Sequence, residues 1–147
     1  MINGSEAEAV DVLLVEDDPA DVMLIEEAFE QYGMLARLHV VGDGEQALRF
    51  LRQAGEFSDA PRPSLVLLDL NLPRRNGLEV LAEVKMDQDL LSIPVVMLTT
   101  SQAEEDIARS YQLHVNAYVA KPLDFERFTQ VVQLIDDFFL ALVKLPR

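Results

Sequence analysis

Short runs of β-branched and aliphatic residues recur five times along the chain, at Val10–Val15, Leu38–Val41, Leu65–Leu68, Pro94–Leu98 and Ala117–Ala120. Between them apolar residues return at helical spacing, as in Val22, Ile25, Ala28 and Phe29, or Leu78, Leu81, Ala82 and Val84. A strand that reads as an unbroken apolar run is covered on both faces, and such coverage belongs to a parallel sheet flanked by helices. Regular strand–helix alternation within one chain of this size predicts an open, doubly wound α/β fold, since a closed barrel needs eight units. Local signals mark the boundaries. Asp18-Pro19 is a helix cap followed by proline at the first helical position, Asp43-Gly44 closes the second strand, and Ser101 is placed to cap a helix after the fourth. Gln53–Pro63, with Gly55, Ser58, Pro61 and Pro63, reads as a surface loop, and Asn116 suits a tight turn before the fifth strand.

Composition narrows the picture. The 147 residues leave room for one domain of ordinary size, and half of them are apolar, enough to bury a core without staples. Acids outnumber bases 26 to 12, a formal charge of −14, which argues against nucleic acid and anionic membrane as partners. The absence of cysteine removes disulfide frameworks, thiol nucleophiles and thiolate zinc sites. Met1–Val10 carries neither the basic cluster nor the apolar core of a signal peptide, and no apolar run approaches the roughly 18 residues of a membrane span. The expectation is a soluble, acidic, cytoplasmic domain.

In a doubly wound sheet, ligands bind beyond the carboxyl ends of the strands. The predicted strands end in Glu16-Asp17-Asp18, in Asp69, in Thr99-Thr100-Ser101 and in Lys121-Pro122. Acids, hydroxyls and a lysine therefore converge on one rim. Two like charges 4 Å apart repel by about 4 kcal/mol at an effective dielectric of 20, so clustered carboxylates need either a proton or a cation. An all-oxygen donor set suits a hard divalent ion, magnesium above all when phosphate is present. Lys121 then serves as a point charge for a phosphoryl oxygen, and Asp69 as the nucleophile that becomes an acyl phosphate.

These residues resemble the response regulator receiver domain of two-component signalling, over residues 10 to 143. VEDD at 15–18 looks like its acidic pocket, and LLDLNLP at 67–73 like its phosphoacceptor segment. The resemblance implies a (βα)5 flavodoxin-like sheet of strand order 2-1-3-4-5. It implies Asp69 as phosphoacceptor, Mg2+ held by Glu16, Asp17, Asp69 and the main-chain carbonyl of Asn71, and Lys121 before a cis proline. It makes Thr99 the switch hydroxyl, Tyr118 the switch aromatic, and Gly77 the glycine that shapes the loop after the acceptor. The partner implied is a histidine kinase, whose phosphohistidine supplies the phosphoryl group. PRRNG at 73–77, LTTS at 98–101, VNAYVAKP at 115–122 and the closing FFLALVKLP narrow the likeness to stand-alone regulators of phytochrome-type kinases, which lack an output domain. On this reading residues 1–147 are one receiver domain, with an extension at 1–9 and a long helix at 124–143. The chain departs from the family in three places. Glu16 replaces a frequent aspartate, Thr100 a small alanine, and the His114–Asn116 turn lacks a common glycine.

Plainer readings compete at several positions. Asp18 reads as a cap rather than a ligand, and Tyr118 by itself as a packing residue. His39 and His114 read as surface or core-edge residues, and Glu26, Glu27 and Glu30 as a solvated helix face. In the last helix Phe125, Phe128, Val132, Ile135, Phe139 and Leu142 form a stripe that packs on the sheet, while Val131, Phe138, Leu140 and Val143 widen it. Either that end folds back on its own domain, or Phe138, Phe139 and Leu142 form a homodimer or kinase-docking surface. Three other functions fit the residues less well. An aspartyl-phosphate phosphatase wants a second acid where Asn71 stands. A flavin domain wants a phosphate cradle where Glu16, Asp17 and Asp18 would repel one. A receiver-like module that only binds protein has no use for the acids and lysine.

Overall fold

The computed structural model describes residues 9–99, 117–121 and 123–144; within these, the side chains of Thr99, Tyr118 and residues 140–144 are not described. Five parallel strands, β1 (Val10–Val15), β2 (Ala36–Val41), β3 (Leu65–Asp69), β4 (Val95–Thr99) and β5 (Ala117–Ala120), form one sheet in the order β2-β1-β3-β4-β5. The four described helices are α1 (Pro19–Tyr32), α2 (Gly44–Leu51), α3 (Gly77–Met86) and α4 (Phe125–Lys144). This is the expected flavodoxin-like topology, with strand order reversing between β1 and β3.

Both faces of the sheet are covered, which is why the central strands read as unbroken apolar runs. On one face Leu13, Val15, Val66, Leu68 and Met97 pack with Leu48 of α2 and Leu81 and Val84 of α3. On the other, Val12, Leu14, Leu67 and Leu98 pack with Ile25 and Phe29 of α1 and Phe128, Val132 and Ile135 of α4. Phe29 and Phe128 meet edge to face at 6.5 Å between ring centroids, joining α1 to α4. Every residue of β3 is buried.

The helix starts follow the local chemistry. Asp18 accepts a hydrogen bond from the Ala20 N–H ahead of Pro19, Asp43 accepts from the Gln46 N–H, and Asn76 and Glu79 form a reciprocal capping box. Gly33 ends α1 at φ +87°, a left-handed conformation that favours glycine. Four elements differ in their bounds from the apolar pattern: β3 extends to Asp69, and β4 runs Val95–Thr99, one residue later than Pro94–Leu98. β2 begins at Ala36, two residues ahead of the apolar pattern, because Ala36 and Arg37 pair with Val10 and Asp11 of β1. The last helix runs Phe125–Lys144 rather than 124–143, since Asp124 caps it, accepting from the Glu126 and Arg127 N–H groups. The Gln53–Pro63 loop holds a single 3-10 turn at Gly55–Phe57. Ser101, His114 and Asn116 lie outside the described residues.

Candidate functional site

Parallel pairing sets Val15 beside Leu68, so the residues just beyond, Glu16 and Asp69, emerge level with each other at the carboxyl edge. Leu98 and Thr99 of β4 continue this edge beside Asp69 and Ala120. Lys121 follows β5 and reaches back past the end of β4 toward β1. Its Nζ lies 2.6 Å from Glu16 Oε1, 2.8 Å from Asp21 Oδ2 and 3.2 Å from Asp69 Oδ2. The loop after Asp69 is shaped by a close approach at Gly77. The Gly77 N–H donates to the Leu70 carbonyl at 2.9 Å, and a Cβ on Gly77 would sit 2.8 Å from Leu70 Cα. Only glycine fits there without a shift of backbone.

Few oxygens here are unengaged. Glu16 Oε2 accepts from the Asp18 N–H at 3.1 Å while Oε1 takes Lys121. Asp69 Oδ1 accepts from the Asn71 N–H at 3.1 Å while Oδ2 faces Lys121. Glu16, Asp69 and Lys121 are only 2%, 3% and 7% exposed, whereas Asp17 opens to solvent. Burial raises the Glu16 pKa more than the hydrogen bond from Lys121 lowers it, and the negative Asp69 adds to the rise, leaving it at about 7. Burial works against the charge on Lys121, but hydrogen bonds to Asp21 and Glu16 and the charge of Asp69 outweigh it, so its pKa rises above the ordinary lysine value.

Glu16, Asp17 and Asp69 each present a carboxylate oxygen, all within 4.8 Å of one another. The donors are all oxygen, hard and in charge excess over the single ammonium, which fits a small divalent cation. Asn71 follows in the same loop. Thr99 ends β4 at this edge, and Tyr118 lies in β5. Pro122 lies outside the described residues. Asp18 is an N-cap, as the plainer reading held. Glu26, Glu27 and Glu30 are exposed and form the expected solvated face of α1.

Sequence reasoning missed Asp21. It stands in the first turn of α1, where the helix dipole alone favours an acid, and nothing in the neighbouring sequence signals its contact with Lys121. His39 lies at the core edge, with Nε2 3.0 Å from Asp11 Oδ1 and its ring against Phe50. The proposed interface residues sit elsewhere. Phe138 is 45% exposed and Phe139 half-buried, beside a groove of about 340 Å³ lined by Leu65, Pro94 and Ala117, at the amino ends of the strands. That is the opposite end of the sheet from Asp69. Leu142 lies in α4, with its side chain outside the described ones.

Residues 12–133 match the family described as the response regulator receiver domain. The chain belongs to this family. Among the receiver proteins it is similar to, the response regulator Rcp1 of Synechocystis sp. is 47% identical over 135 residues, 92% of each chain. The probable methanogenesis regulatory protein FilR2 of Methanothrix harundinacea is 43% identical over 147 residues, 98% of this chain and 94% of that one. The crystal structure of the phosphorylated cyanobacterial phytochrome response regulator RcpA superposes with a TM-score of 0.83 at 46% identity, covering 95% of this chain and 99% of that one. The Mn2+-bound form of Rcp1 superposes at 0.81, also 46% identical, covering 94% and 99%. As a receiver domain this chain is a signalling protein. Among the described residues no helix is long and apolar enough to cross a membrane.

Proposed function

We propose that the chain is a single receiver domain that accepts a phosphoryl group on Asp69 from the phosphohistidine of a histidine kinase. The observation that carries the reading is one buried carboxylate, Asp69, set between a lysine ammonium and two further acids at the carboxyl edge of the sheet. Asp17, Asp69, Glu16 and the Asn71 carbonyl would hold Mg2+, which when bound supplies positive charge against the phosphoryl oxygens. The Asn71 N–H fixes Asp69 Oδ1 and leaves Oδ2, on the Lys121 side, as the attacking atom. A P–O bond forms at Oδ2 as the P–N bond of phosphohistidine breaks, its electron pair leaving with the imidazole nitrogen. Lys121 turns an N–H toward a phosphoryl oxygen. Thr99 and Tyr118 carry the signal outward, through a population shift toward the state in which the Thr99 hydroxyl meets the phosphoryl group.

The likeness to the phytochrome regulator RcpA across 95% of the chain supports a phytochrome-type kinase as the donor. The test is mass spectrometry of the intact chain after exposure to phosphoramidate. One phosphoryl adduct is expected with Mg2+, none with EDTA and none in Asp69→Asn. An adduct that survives Asp69→Asn sinks the assignment. Transfer from a phytochrome-type kinase, compared with an unrelated kinase, tests the donor.

A further inference from the structure

We propose that Asp21 is a positioning residue for this phosphotransfer, anchoring the Lys121 ammonium to the start of α1 so that its third N–H is delivered to the phosphoryl group on Asp69. The inference deepens the phosphoacceptor reading and rests on it.

An ammonium has three N–H donors, and here each has a carboxylate. The two shorter contacts, to Glu16 at 2.6 Å and Asp21 at 2.8 Å, come from residues that bracket the start of α1. The longest, at 3.2 Å, goes to Asp69. The contact to Asp69 is therefore the one most easily exchanged when a phosphoryl oxygen arrives. Glu16 and Asp21 keep Nζ in place while that exchange happens.

A lysine side chain is long and has several rotatable bonds, so one carboxylate partner leaves its ammonium free to swing; two partners on different segments fix it. Asp21 is itself held by local structure. It sits three residues after the cap Asp18, on a helix whose first position is Pro19, and its side chain is 19% exposed. It is not among the three acids whose oxygens cluster as a cation site, which separates its role from metal binding. The arrangement spends a fourth carboxylate on a site already rich in negative charge, and fixing Lys121 is what that carboxylate does.

The test uses the full chain with phosphoramidate and Mg2+, comparing wild type, Asp21→Asn and Asp21→Glu. Asp21→Asn is expected to lower the labelling rate at saturating donor by about tenfold, as loss of a supporting partner commonly does. The donor concentration and the Mg2+ concentration at half-maximal rate should both stay unchanged. Asp21→Glu, which keeps the charge but moves it, should fall between the two. A second readout does not depend on phosphorylation. In lysine-labelled 15N spectra, the Lys121 ammonium should give a signal protected from solvent exchange in wild type and lose that protection in Asp21→Asn. Wild-type labelling with Asp21→Asn unchanged in rate overturns this proposal alone. So does a shift in Mg2+ half-saturation with an unchanged maximal rate, which would place Asp21 with the metal. A wild type that takes no label overturns the phosphoacceptor reading, and this proposal with it.

Discussion

Lys121 Nζ lies 2.6 Å from Glu16 Oε1 and 3.2 Å from Asp69 Oδ2, so its ammonium is closer to the acid beside Asp69 than to Asp69 itself. Removing the cation strands both buried carboxylates. Lys121→Met keeps the volume and deletes the charge, and it should cost about 3 kcal/mol at pH 8, the scale of a broken buried pair. Urea unfolding in EDTA measures the loss. It should shrink at pH 6, where Glu16 takes up a proton. A variant as stable as wild type at pH 8 would show that Lys121 is not the site's counter-charge.

Glu16 contributes to the pH dependence of the protein's stability in EDTA. Its folded pKa of about 7 lies above its ordinary value of 4.5, so the folded state holds the proton more tightly than the unfolded one. Stability contributed at this position is therefore lost as pH rises from 4.5 through 7, and it levels off above that. Melting curves in EDTA should fall between pH 5.5 and 7.5, and Glu16→Gln should flatten that fall. Added Mg2+ should raise the melting temperature more at pH 7.5 than at pH 5.5. An equal rise at both would show that no proton is displaced.

Asp11 has the opposite sign. The Arg37 hydrogen bond lowers its pKa, against burial, and His39 adds to the lowering. Its contribution is present above pH 3.8 and fades as pH falls through its depressed folded value. The Arg37 partner is largely exposed, so Asp11→Asn should cost only about 0.5–1 kcal/mol at pH 7. Urea unfolding at pH 7 and pH 2.5 checks the difference, which should be smaller at the lower pH.

Gly77→Ala tests the loop after Asp69. An added methyl would meet Leu70 Cα at 2.8 Å, and main chain yields less readily than a side chain. The expected cost is about 2–3 kcal/mol, the range of an overpacked site. Labelling of Asp69 should also slow, because the same backbone carries Asp69 and Asn71. Denaturant unfolding and the adduct rate together separate the two effects. A variant with wild-type stability would show that the loop gives way easily.

The sequence alone determined the five strands, the coverage of the central ones on both faces and the Asp18 cap, because unbroken apolar runs and a capping residue act within a few residues of themselves. It also named Glu16, Asp17, Asp69 and Lys121, since each stands at or just past the carboxyl end of a strand that a parallel sheet must end on one rim. Tertiary structure decided the rest. β2 gained Ala36 and Arg37 from its pairing with β1, which a local pattern does not contain. Phe138 lay at the far end of the sheet from Asp69, because a helix that follows a strand in a parallel sheet runs back toward the strands' amino ends. The contact between Asp21 and Lys121 spans most of the chain, and nothing near Asp21 signals it. Separation along the chain hides such a pair until folding closes the loop, and only then do two opposite charges at 2.8 Å outweigh the helix-start role that the local sequence suggests for Asp21.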